Sequence, residues 1–180
     1  PDDKKKRFID EFKVSPYEAT ILVSDIETAK YFEEVVAKMG KNRNMKLAVN
    51  WITGELFAVL NNKNLEISES PISAKNLAKL INLIKNGTIS GKIAKTIFEL
   101  MMDGDKDPQI IVEEKGLKQE SDPKALEALI DKIINDNREK AIEYKNGKEK
   151  LFGFFVGQAM KVSGGKANPQ LINEILKKKL

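Results

Sequence analysis

The sequence predicts an all-α protein built as two small helical bundles, and three observations carry that expectation. Apolar residues recur at helical spacing along most of the chain. Leu77, Leu80, Ile81 and Ile84 fall at i, i+3, i+4 and i+7, and Leu126, Leu129, Ile130, Ile133 and Ile134 extend the same template to i+8. Capping residues before prolines, and glycines after apolar runs, mark repeated helix starts and stops. Strand-like alternation is nearly missing.

Taken in order, helices are expected near 3–13, 16–23, 25–38, 43–61, 73–86, 90–102, 108–115, 123–135, 137–146, 148–162 and 169–178. Ser15-Pro16, Asp107-Pro108, Asp122-Pro123 and Asn168-Pro169 each set a capping side chain before a proline at the first helical position, where the missing N–H costs nothing. Ser15 with Glu18, and Ser24 with Glu27, have capping-box spacing. Gly40, Gly87, Gly104, Gly116 and Gly147 stand where helices should end. The run Leu47–Leu60 is apolar around most of its circumference, which predicts a buried helix anchored by Trp51. Leu65–Ser68 alone hints at extended structure and is assigned to a loop.

A chain of 180 residues allows one or two domains, and 41% hydrophobic with 32% charged residues supports a folded core. The short polar link Gly116–Ser121 is the expected boundary, giving a helical linker domain at 1–115 and a tail domain at 116–180. Charge changes at that point. Up to Lys115 there are 18 Lys plus Arg against 18 Asp plus Glu; from Gly116 onward there are 13 against 9, so the net charge of +4 sits in the last third. Between Tyr144 and Leu180 there are 8 Lys against Glu149 and Glu174. This asymmetry predicts an anionic partner for one end.

Cysteine and histidine are both absent. Disulfides, thiolate nucleophiles, cysteine zinc sites and a histidine general base are therefore excluded. Independent catalysis would rest on carboxylates and lysines, and no spacing demands a catalytic carboxylate pair. No apolar run approaches the roughly 18 residues needed to cross a bilayer. No signal-peptide core is present. A cytoplasmic protein without membrane contact is expected. The first residue is Pro1 rather than Met, which points to a piece of a longer protein.

Two Gly-Lys sequences invite a nucleotide site. Gly87–Lys92 (GTISGK) is one residue too short for a P-loop and continues with Ile93; Gly164-Gly165-Lys166 continues with Ala167, so neither supplies the magnesium-binding hydroxyl. Ser90-Gly91-Lys92 reads as a cap for the helix carrying Ile93, Ile97 and Met101, with a phosphate contact from Lys92 as the alternative. In Gly153–Gly157 (GFFVG), the two glycines are expected to let helices approach closely, while Phe152, Phe154, Phe155, Val156 and Met160 form core rather than base-stacking platforms. Each such side chain stabilises by about 1.5–3 kcal/mol when fully buried. Ser163–Pro169 (SGGKANP) puts Lys166 on a flexible turn beside a helix capped by Asn168. Free N–H groups and a partial positive charge there suit phosphate, but a plain turn with a solvated lysine fits the residues equally well. Lys177, Lys178 and Lys179 read as a solvated, frayed end.

Several segments together carry a family resemblance. Leu47–Leu56 (LAVNWITGEL), Gly87–Lys95 (GTISGKIAK), Asp107–Ser121 (DPQIIVEEKGLKQES) and Gly147–Gln170 (GKEKLFGFFVGQAMKVSGGKANPQ) resemble the C-terminal part of GatB, a component of the Glu-tRNA(Gln)/Asp-tRNA(Asn) amidotransferase GatCAB. The likeness covers Phe8 to Leu176, and the final part also resembles the free-standing YqeY proteins. It implies a helical linker domain and a YqeY-like tail that reads the outer corner of tRNA, including its D-loop. It implies partner subunits GatA and GatC, and a holoenzyme that is a carbon–nitrogen ligase with glutamine as amido donor. In that holoenzyme GatA frees ammonia from glutamine. The N-terminal part of GatB phosphorylates the misacylated carboxylate with ATP and Mg2+, and ammonia displaces the phosphate. The residues here contain no part of that catalytic cradle, so the segment itself is expected to be noncatalytic and without a cofactor.

The residues expected to meet tRNA are Lys148, Lys150, Lys161 and Lys166, holding phosphates, with Asn168 and Gln170 bonding ribose or base edges. Folded RNA is read largely by shape and exposed loops, which suits a rigid helical surface. The competing expectation is a docking scaffold that holds partner subunits, exposes an apolar patch on residues 1–115 and does not touch tRNA.

Overall fold

Capping side chains and glycines set the element boundaries in the computed structural model, which describes residues 2–180. The helices are α1 (Asp2–Phe12), α2 (Pro16–Leu22), α3 (Ile26–Met39), α4 (Met45–Asn50), α5 (Phe57–Lys63), α6 (Ala74–Lys85), α7 (Gly91–Met101), α8 (Pro108–Lys115), α9 (Pro123–Asp136), α10 (Arg138–Lys145), α11 (Leu151–Val162) and α12 (Pro169–Lys179). The all-α class holds. Among the described residues, the one ladder-type pairing is an isolated parallel bridge between Glu120 and Ala167.

Ser15 and Glu18 close the expected capping box, and Asp107, Asp122 and Asn168 accept backbone N–H groups at the starts of α8, α9 and α12. Before α3 the cap is Asp25 rather than Ser24. Its carboxylate takes both the backbone N–H and the hydroxyl of Thr28, one on each oxygen, a reach that the single oxygen of a serine lacks. Burial would raise the Asp25 pKa, but those Thr28 bonds outweigh it and hold the carboxyl below its ordinary value. Gly40, Gly87, Gly104, Gly116 and Gly147 all have positive φ, as helix-ending glycines do.

The chain divides into two compact units. One comprises the residues up to Asn86 with Thr96–Lys115; the other comprises Gly87–Lys95 with Gly116–Leu180. The break at Lys115/Gly116 falls where the charge balance shifts. A single cut there does not capture the excursion Gly87–Lys95, because Thr88 and Ser90 bond to residues of the tail (below).

In the first unit, α3 packs chiefly on α6. Phe8, Phe12 and Phe32 stack against one another with ring centroids 5.2–5.5 Å apart. Asp105 accepts from the backbone N–H of Ser73 at 3.0 Å and from the buried Asn76 amide, which fastens the start of α6. Tyr31 donates to the carbonyl of Ile72 at 2.8 Å, and burial pushes its phenol pKa well up. The expected buried helix is present, but α4 and α5 are joined by a π-helical stretch, Trp51–Leu56. There the Thr53 hydroxyl donates to the Val49 carbonyl at 2.8 Å and competes with the α-helical ladder, while Gly54 gives the backbone room to widen. Trp51 is buried against Phe98, with centroids 5.4 Å apart. Near Leu65–Ser68 a short 3-10 turn, Ile67–Glu69, replaces the expected loop, stabilised by a Glu66–Glu69 capping arrangement.

The second unit surrounds Phe155. Leu126, Ile130, Ile133, Ala141, Ala159, Ala167, Ile172 and Leu176 complete its buried core. Phe152, Phe154, Val156 and Met160 pack around it half-buried. One expectation fails here. Gly153 and Gly157 do not admit a neighbouring helix; both are exposed, and a Cβ on either would meet nothing within 4 Å. The reason is angular. Phe155 and Ala159 define the packed side of α11, and the two glycines fall nearly opposite it. The small residue that permits close packing is Ala159.

Candidate nucleic-acid interface

Every candidate residue lies in the second unit, and the sign of the charge is sorted within it. From Lys150 to Asn173 there is no Asp or Glu. Eight of the nine acids lie instead on α9 and α10 and at the links around them, with Glu127, Asp131, Asp136, Glu139 and Glu143 on the two helices; the ninth, Glu174, is on α12. With Gly87–Lys95 included, the second unit has 15 Lys plus Arg against 9 Asp plus Glu, and the first has 16 against 18. The contrast is therefore −2 against +6, sharper than a single cut after Lys115 suggests.

Lys150, Gly153, Gly157 and Lys161 share one face of α11, at i, i+3, i+7 and i+11. All four are exposed, and neither lysine has an ion pair among the described residues. With no side chains on the glycines, helix backbone lies bare between two ammonium groups. Another chain's backbone can approach it closely.

After α11 the turn Ser163–Asn168 is pinned rather than flexible. Glu120 donates its N–H to the Lys166 carbonyl at 2.7 Å, and Asn168 donates to the Glu120 carbonyl at 2.9 Å. The Ser163 hydroxyl accepts from Ala167 N at 3.2 Å. Lys166 is half-buried, and its ammonium has no carboxylate partner among the described residues. Asn168 acts as the expected cap, its Oδ1 accepting from the backbone N–H groups of Gln170 at 3.1 Å and Leu171 at 3.4 Å. That commits its acceptor, so only the amide NH2, 3.3 Å from the Ser121 hydroxyl, remains for a nucleotide. The Gln170 side chain is exposed on the first turn of α12.

Lys148 differs from the other lysines. Its ammonium bonds Glu143 at 2.7 Å, with 68% of the side chain exposed. An exposed pair of this kind contributes about 0–1 kcal/mol, so a phosphate can compete for it. At the C-terminal end, Lys177 and Lys178 are exposed as expected, but Lys179 is half-buried. Lys179 bonds Asp131 at 2.8 Å with Glu127 at 3.8 Å, and its side chain is only 28% exposed. The hydrogen bond to Asp131 raises its ammonium pKa. The aromatic rings are not free platforms either: Phe155 is fully buried, and Lys140 stands 3.8 Å over the ring of Phe154.

The hydroxyl next to the Gly91-Lys92 pair is already engaged inside the fold. Ser90 caps α7 through the Ile93 N–H and donates its hydroxyl to the Gly165 carbonyl at 2.9 Å. Among the described residues no group of His, Cys, Asp and Glu could hold a metal ion. Among them, too, no helix is long and apolar enough to cross a membrane.

A family model described as GatB domain matches residues 30–180. The chain belongs to the GatB family. Over its whole length it is 96% identical to the aspartyl/glutamyl-tRNA(Asn/Gln) amidotransferase GatB chain of Pelagibacter ubique (strain HTCC1062), of which it covers 37%. It is 50% identical to the chain of the same name from Thioalkalivibrio sulfidiphilus (strain HL-EbGR7), covering 37% of it, and 51% identical to that of Rickettsia africae (strain ESF-5), covering 36%. The chain thus spans a little over a third of the length of these GatB relatives and corresponds to their C-terminal part.

Sequence reasoning did not join Gly87–Lys95 to this site. Nothing local signals that Ser90 reaches Gly165, since the two are 75 residues apart. The Ser-Gly-Lys run marked only a helix start.

Proposed function

We propose that this segment is the tRNA-recognition portion of a GatB chain, holding misacylated Glu-tRNA(Gln) or Asp-tRNA(Asn) while the amidation is completed elsewhere in the assembly. That assembly contains GatA and GatC, acts in the cytoplasm, and uses ATP, Mg2+ and glutamine. The segment itself performs no covalent step. The observation that carries this reading is the acid-free stretch from Lys150 to Asn173, whose α11 face sets Lys150 and Lys161 on either side of two bare glycines. An ammonium at each end and backbone between them suit the phosphates of a folded RNA at its outer corner. Lys166 and Gln170 continue the surface beyond the pinned turn, and Lys148 joins once phosphate displaces Glu143.

The test is tRNA affinity of the full-length protein as a function of salt. Each of Lys150→Gln, Lys161→Gln and Lys166→Gln is expected to flatten the slope of log affinity against log salt by about 0.7–0.9. Unchanged slopes in all three would remove this surface. A second reading, docking of partner subunits, is favoured by Tyr17 and Ile26 on the first unit, 76% and 68% exposed. It predicts that Tyr17→Ser weakens assembly with those partners and leaves tRNA affinity unchanged.

A further inference from the structure

We propose that Lys92, on a segment far upstream in the sequence, is a further phosphate-binding residue of the tail's RNA surface, acting beside Lys166. This rests on the reading of the second unit as an RNA-binding module. The segment Gly87–Lys95 belongs to that unit and is fastened to it at two points. The buried Ser90 hydroxyl donates to the Gly165 carbonyl at 2.9 Å while accepting from Ile93 N at 3.1 Å, and Gln119 donates its N–H to the Thr88 carbonyl at 2.6 Å. Two residues after Ser90, the alkyl stem of Lys92 lies across Gly165. A Cβ at Gly165 would stand 3.1 Å from Lys92 Cδ and 3.6 Å from its Cε. Lys166 is the next residue, so two lysines adjoin one buried glycine.

Lys92 is exposed and has no ion pair among the described residues. Gly87–Lys95 contains no acid. The two acids on the segment bridged to this turn are occupied locally: Glu120 accepts from Asp122 N at 3.0 Å, and Asp122 accepts from Lys124 N at 3.1 Å. A stem already resting on Gly165 loses less rotamer freedom on binding than a fully solvated lysine does. Lys92 therefore presents a partly preorganised charge, and the GTISGK run serves the tail rather than a nucleotide.

The experiment compares full-length wild type with Lys92→Met, Lys92→Arg and Lys166→Met, titrated with a glutamine tRNA transcript at several salt concentrations. Met keeps most of the stem and removes the charge. Lys92→Met is expected to weaken binding by about 3- to 10-fold at 0.15 M salt and to flatten the salt slope by about 0.7–0.9. Lys92→Arg should bind like wild type. If Lys92→Met matches wild type while Lys166→Met loses affinity and slope, the role of Lys92 is overturned and the tail's RNA-binding role stands. If Lys92→Arg is as weak as Lys92→Met, the residue acts by packing and the proposal fails. If neither Met variant changes anything, the RNA reading itself falls, and this inference with it.

Discussion

The two units fold by the same helical rules but dispose of charge differently. In the first, cations and acids are nearly balanced and several cations meet the chain's own acids and carbonyls: Lys4 and Arg7 meet Glu33, Lys30 meets Glu27, Lys79 bonds Asp107, and Lys85 donates to the Asn42 carbonyl. In the second, Lys148 and Lys179 are paired, while Lys92, Lys150, Lys161 and Lys166 have no carboxylate partner among the described residues and lie on two acid-free stretches, 87–95 and 150–173. Net charge alone would have said only that one end is basic. The pairing pattern sets Lys148 and Lys179 apart from those four.

The strongest way to test whether the units are separable is to damage one core. Phe155→Ala removes the fully buried centre of the second unit and should cost about 3–5 kcal/mol. Urea unfolding followed by hydrogen exchange should show protection lost in α9, α11 and α12 and retained in α3 and α6. Loss in both would mean one cooperative unit. Gly165→Ala comes next. The residue sits at φ +82° with Lys92 against it, so alanine should destabilise the second unit by about 1–3 kcal/mol, seen as a lower melting temperature.

Gly157→Ala inverts the sign. It lies in an exposed helix interior with open space above it, so alanine should stabilise the unit by about 0.5–1 kcal/mol. If backbone approach matters, the same variant weakens tRNA binding, and a Gly157→Leu variant weakens it further. Stability and binding moving in opposite directions would be hard to explain by folding alone.

The smallest effect belongs to the first unit and to acid. Burial works against ionisation of Asp107, but the hydrogen bond from Lys79 and the backbone N–H groups of α8 outweigh it and lower its pKa from 3.8. A depressed carboxylate contributes stability that is full above its unfolded pKa and fades as pH falls through the folded one. Asp107→Asn should therefore reduce the stability difference between pH 6 and pH 3. The change should be under about 1 kcal/mol, since the Lys79 partner is well exposed.

Helix positions were legible because capping chemistry and apolar period act within a few residues. Asp122 before Pro123 and Asn168 before Pro169 do in the fold what their spacing says. The π-helical turn at Trp51–Leu56 was not legible, because Thr53 and Gly54 are both tolerated in an ordinary helix. The glycines of α11 were misread for a related reason: spacing put them on one face, but the phenylalanines, not the glycines, decided which face is buried. At the candidate site, the lysines could be named from sequence but their partners could not. Glu143 beside Lys148 and Asp131 beside Lys179 are tertiary facts, as is the approach of Lys92 to Gly165.

The most direct measurement sets two triple variants of the full-length protein side by side in tRNA binding over a salt series. One replaces Lys150, Lys161 and Lys166 by Gln; the other replaces Lys6, Lys38 and Lys63, which are exposed cations of the first unit. The tail triple should flatten the salt slope by roughly 2–3 units, while the first-unit triple leaves it within error of wild type. Equal losses from both triples, or none from either, would contradict the claim that the second unit's unpaired lysines hold the RNA.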